Sequence, residues 1–106
     1  MNLVVRTSGL RLTRAVRVFA ESRVRAALGG LAVRARAIRV TLLEKRGPAG
    51  ARQRLCRVLV LLPGLGPIAV RALADDRYLA ISNACSRAAA AARQAAIRQP
   101  LQSGGR

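Results

Sequence analysis

Histidine and tryptophan are absent from this chain, and phenylalanine and tyrosine occur once each, as Phe19 and Tyr78. Without histidine there is no Ser–His or Cys–His dyad to activate a nucleophile. Both aromatics fall at positions predicted to be at least partly covered, so the base-stacking platform of a single-strand nucleic-acid binder is missing. Acids are scarce too: Glu21, Glu44, Asp75 and Asp76 are all there are. The one adjacent pair, Asp75–Asp76, stands at a predicted helix start. Carboxylates there accept from free backbone N–H groups and suit the positive end of the helix dipole, so the pair reads as a cap. Cys56 and Cys85 are too few for a zinc site, which takes about four N/S ligands, or three and a water. At inward positions of a strand and a helix, they read as small buried hydrophobes. No GxGxxG or GxxxxGK[ST] fingerprint is present. The chain is therefore expected to be no enzyme and to carry no cofactor or metal.

Long apolar runs are missing as well. The longest, Val58–Val70, is interrupted by Pro63, Gly64, Gly66 and Pro67, and a membrane-crossing helix needs about twenty residues. No compact apolar segment follows a charged start, so no signal peptide is expected. Residues 1–30 are Arg-rich and acid-poor in the manner of a mitochondrial transit peptide. The same composition continues to the other end, which argues against a separate leader. A cytoplasmic protein with no membrane partner is expected.

What the chain has in excess is arginine. Of its twenty basic residues only Lys45 is lysine, and the net charge is +16 over 106 residues. A GC-rich genome would explain arginine over lysine, but not the lack of acids. Such an imbalance costs self-repulsion in the compact state and favours a polyanionic partner. A hydrophobic fraction of 52% argues against disorder and for one folded domain.

The periodicities give that domain a form. Residues 2–7 make a short β-rich run, broken at Ser8-Gly9. A helix is predicted from about Leu12 to Leu28, capped by Thr13 or Ser8, with Val16, Ala20, Val24, Ala27 and Leu28 as its apolar stripe and Gly29-Gly30 as its end. Arg14, Glu21 and Arg25 lie opposite the stripe, with Arg11 and Arg17 on the flanks. Arg23 lies beside it, stem covered and head free. Ile38, Val40 and Leu42 alternate with Arg39, Thr41 and Leu43 in a strand over 37–44. After the loop 45–53, Cys56, Val58, Val60 and Leu62 point one way from a strand over 54–62, and Leu55, Arg57, Leu59 and Leu61 the other. Pro63–Pro67 is a tight turn. Ile68, Val70 and Ala72 share one face of a strand over 68–74. A last helix runs over 74–98 with Tyr78, Ile81, Cys85, Ala88, Ala92 and Ala95 as its stripe, and residues 99–106 form a polar, Gly-rich, flexible tail. The order β-α-β-β-β-α predicts an α+β fold: a two-layer sandwich, both helices on one face of a four-stranded sheet, the last three strands an antiparallel meander, the first strand on an edge.

The opening run MNLVVRTSGLRLTRAVRVFAESRV, the strands AIRVTLLE and LCRVLVLLP, and above all DDRYLAI at the start of the last helix resemble the ribosome hibernation-promoting factor and ribosome-associated inhibitor family, in its short form. The match spans about residues 1–98, and Asp-x-Tyr-x-Ala-Ile at Asp76–Ile81 is its most specific part. The resemblance implies a fold like double-stranded-RNA-binding domains. It also implies binding to the small ribosomal subunit, through ribosomal RNA near the decoding region, and silencing of idle ribosomes by occlusion. Carried over by position, the family's RNA-contacting cations fall at Arg23 and near Arg25 on the first helix and at Arg87 on the second. The next two land near Ala90 and Gln94, where Arg93 and Arg98 stand in. Longer members carry a further, ribosome-dimerising domain, which a chain ending at Arg106 is expected to lack.

From the residues themselves, the arginines of two adjacent helices are expected to merge into one basic surface that reads structured RNA by backbone and shape. A second expectation concerns the other sheet face. Leu43, Leu55, Leu59, Leu61 and Leu73 would form an apolar patch there, open to a partner or a second copy. Two alternatives remain: a permanent structural RNA-binding protein of a ribosome, organellar or otherwise, and a general nucleic-acid packaging protein.

Overall fold

The computed structural model describes residues 1–98; the expected tail, 99–106, lies outside them. The elements are β1 (Leu3–Ser8), α1 (Arg14–Leu28), α2 (Gly30–Arg34), β2 (Ala37–Arg46), β3 (Arg52–Leu61), β4 (Ile68–Ala74) and α3 (Arg77–Arg98). The strands form one mixed sheet in the order β1-β2-β3-β4. β1 runs parallel to β2, with Val5 beside Val40. β2–β3 and β3–β4 are antiparallel, with Val58 beside Val40 on one side and Val70 on the other. The two-layer α+β architecture expected from the periodicities is the one observed.

Local chemistry explains the boundaries. Val16 N donates to Thr13 Oγ1 at 3.1 Å, so Thr13 rather than Ser8 caps α1. Leu79 N donates to Asp76 Oδ2 at 3.0 Å, so of the two acids Asp76 caps α3. Gly29 ends α1 at φ 57°, ψ −129°, a conformation that suits a residue without Cβ. Instead of a loop, the chain then makes the single helical turn of α2, which buries Ala32. β2 and β3 are longer than alternation suggested. They pair from Ala37–Leu61 out to Arg46–Arg52, and the turn closes through Gly47 N to Ala51 O at 2.6 Å.

The core lies on one face of the sheet. Ile38, Val40 and Leu42 of β2, Cys56, Val58 and Val60 of β3, and Ala72 of β4 are buried there. Against them pack Val16, Ala20, Val24 and Leu28 of α1 and Ile81 and Cys85 of α3, in one cluster. No polar or charged side chain is buried among the described residues. The buried stripe of α3 is broader than predicted and largely alanine: Ala80, Ala84, Ala88, Ala89 and Ala92. Such small side chains bring the helix backbone close to β3 and β4. Phe19 meets Tyr78 edge-to-face, with ring centroids 4.9 Å apart and planes at 84°, joining α1 to α3.

Candidate nucleic-acid interface

The two long helices lie side by side, but their arginines do not all gather on one surface. α3 carries its cations on two flanks. One flank looks toward β4, where an Arg87 Nη donates to the Arg71 carbonyl at 2.7 Å. Arg98 and Gln94 share that flank by helical spacing, and Arg98 donates to Gln94 Oε1 at 3.3 Å. The other flank looks toward α1. There Arg93 donates to the Ala27 carbonyl at 2.8 Å, a bond spanning 66 residues of sequence. Ala27 lies in the last turn of α1, where carbonyls have no partner within the helix and a cation meets the negative end of the dipole.

Arg23 is half-buried on the flank of α1 that faces α3. Its charge acts on Cys85, pulling the thiol's pKa down, although burial dominates and leaves it pushed up to about 11. Arg23 and Ala27 are one turn apart, so Arg23 and Arg93 line the same α1–α3 seam. Arg25 is exposed on the far flank of α1, with Arg14 and Glu21. The five sequence-predicted cations thus occupy three places: the seam, the flank over β4, and the far side of α1. Phe19 and Tyr78 are held against each other, and Arg77 covers the Tyr78 ring at 5.6 Å.

The outward sheet face holds what sequence reasoning left out of the site. Register places Arg6, Thr41, Arg57 and Arg71 in one row across all four strands. The row on one side is Leu43, Leu55 and Leu73; the row on the other is Val4, Arg39, Leu59 and Ala69. The five leucines do share this face, but not as one patch, because the arginine row divides Leu43, Leu55 and Leu73 from Leu59 and Leu61. Leu55 is buried between Leu43 and Leu73, whereas Leu73 is 47% exposed. The signal for these arginines was present in the alternation at Arg39 and Arg57, but their alignment depends on pairing between strands.

Few acids offset this charge. Among the described residues the ion pairs both involve Glu44, with Arg52 at 3.4 Å and Arg54 at 3.9 Å. No helix in the described residues is long and apolar enough to cross a membrane. No three His, Cys, Asp or Glu side chains there come together as a metal site would require.

Comparison with known proteins finds no matching family profile and no matching curated sequence. The likeness lies in solved structures. A ribosomal subunit interface protein from Coxiella burnetii superposes with a TM-score of 0.73 at 16% identity, over 94% of this chain and 99% of that one. The N-terminal domain of Thermus thermophilus Protein Y superposes with a TM-score of 0.69 at 26% identity, over 89% of this chain and 98% of that domain. Both structures fall in the hibernation-promoting factor family, so the resemblance carried by Asp76–Ile81 and the strand segments is borne out.

Proposed function

We propose that this chain is a ribosome hibernation factor. It binds the small ribosomal subunit by its RNA near the decoding region and blocks translation by occupying the path of its ligands, without catalysis. The reading places it in the cytoplasm, acting on ribosomes idled by stress. Arg23, Arg25, Arg87, Arg93 and Arg98 of the helix layer pair with phosphates, and the sheet behind them holds the helices rigid. The observation that carries the reading is a helix layer rich in arginine and nearly without acids, in a fold shared along almost its whole length with a ribosomal subunit interface protein. Guanidinium suits this work because its planar fork bonds two phosphate oxygens at once.

Cosedimentation with purified small subunits across a salt series tests it. If about five phosphates are neutralised, log affinity falls against log salt with a slope of roughly −3.5 to −4.5. Arg87→Ala weakens binding several-fold and moves the melting temperature little, since its side chain is exposed. Binding indifferent to salt sinks the reading, and an unchanged affinity in Arg87→Ala removes that residue from the interface.

A further inference from the structure

We propose that the outward face of the sheet is a second RNA-binding surface, where one arginine from each strand holds a single RNA strand by its phosphates. The four are Arg6 of β1, Arg39 of β2, Arg57 of β3 and Arg71 of β4. Arg6, Arg57 and Arg71 stand in one cross-strand row with Thr41, and Arg39 stands in the next row on the same face. Neighbouring strands lie about 4.8 Å apart, so the cations form a line roughly 14 Å long, running across the strands.

Three observations carry the inference. All four arginines are exposed, and none is ion-paired among the described residues. No acid neutralises the line. Glu44 falls on the core side of β2 by alternation and is taken by Arg52 and Arg54. Asp75 and Asp76 lie beyond the end of β4, and Glu21 is on α1. Finally, three of the four, Arg39, Arg57 and Arg71, line an open groove of about 450 Å³ together with Thr41, Leu59 and Ala69, and Arg6 extends the line beyond it on β1.

The chemistry fits a strand of RNA. The guanidinium forks match phosphate oxygens, and their planes offer bases a stacking surface on a face without aromatics. Thr41 adds a hydroxyl at the centre of the row. A lipid surface fits worse. An interfacial anchor sinks an apolar centre and rings it with cations, whereas here the cations hold the centre and the leucine rows flank them. The choice of RNA over other polyanions rests on the ribosomal reading above. The surface connects to the helix layer, because Arg87 is bonded to the backbone of Arg71. A strand leaving the sheet over β4 therefore meets a cation of α3.

The test uses the full chain and a fluorescein-labelled oligouridylate of about eight nucleotides, followed by anisotropy at low salt. Arg57→Ala with Arg71→Ala weakens binding about tenfold or more, the loss expected from two charge-assisted contacts. The melting temperature stays near that of the parent. An unchanged affinity in this double variant overturns the inference. So does an equal loss from Arg25→Ala with Arg93→Ala, which would put the oligonucleotide on the helix layer. Tighter binding to polyglutamate or to phosphatidylglycerol vesicles than to the oligouridylate also overturns it. Small-subunit cosedimentation separates this inference from the functional reading: salt-indifferent subunit binding sinks that reading, whereas the oligouridylate result alone decides this one, and oligouridylate binding kept in the helix-layer variants supports it.

Discussion

The two faces of the sheet are built from the same four strands and obey opposite rules. On the core face every position from Ile38 through Leu42 and from Cys56 through Val60 is apolar and almost wholly buried. On the outward face leucine and arginine share the surface, with the row Leu43, Leu55 and Leu73 beside the row Arg6, Thr41, Arg57 and Arg71. Burial selects residues on the first face by volume and hydrophobicity. On the second, water tolerates both kinds, and most positions stay at least partly open to solvent, Leu55 excepted. The difference separates residues that hold the domain together from residues available for contact.

The comparison would break first if a core residue could be removed at little cost. Ile38→Ala, at a site 1% exposed, is expected to cost about 2–5 kcal/mol in denaturant unfolding. A loss below about 1 kcal/mol would mean that the two faces do not differ as described.

A second test uses the thiols as reporters on the core face. Burial pushes Cys56 up to about 12, with Cys85 adding to the rise. Burial likewise pushes Cys85 up to about 11, against the pull of Arg23. In the unfolded chain both titrate near 9.0. Above that value the unfolded state loses protons that the folded state keeps, so unfolding becomes favoured. The stability these thiols contribute is complete below about pH 9 and is lost as pH rises toward 11–12. The melting temperature should therefore fall faster with alkalinity in the parent than in Cys56→Ala with Cys85→Ala. Equal slopes would place the thiols nearer to solvent than the structure does.

The smallest effect sharpens the contrast from the other side. Leu73→Ala removes a side chain 47% exposed on the outward face and should shift stability by about 0.5 kcal/mol or less. Leu55, buried on the same face, marks where this expectation stops, since its neighbours Leu43 and Leu73 shield it.

These contrasts also mark what the sequence could disclose. A strand's alternation reports which face a residue takes, and Ile38, Val40, Cys56 and Val58 lie where it put them. It does not report which residue lies beside it on the next strand. β3 alone sets Arg57 between Leu55 and Leu59, but its extension into a row with Arg6, Thr41 and Arg71 follows only from the pairing of the strands. The turn of α2 is too short for periodicity to register; it forms where Ala32 finds the core. The parallel pairing of β1 with β2 passes through α1 and is a property of the packed layers. On the site side, the arginines of the two helices were expected to merge into one surface, yet they stand on separate flanks. Only the folded chain brings Arg93 to the Ala27 carbonyl and Arg87 to that of Arg71.

The alanine stripe of α3 has a consequence of dimension. Ala80, Ala84, Ala88, Ala89 and Ala92 are the thinnest filling that still excludes water between helix and sheet. They therefore act as a spacer, setting how far the cations carried by α3 stand from the arginine row on the other side of the slab. A leucine in that stripe would change more than packing: it would widen the domain's gauge, moving the two charged surfaces apart.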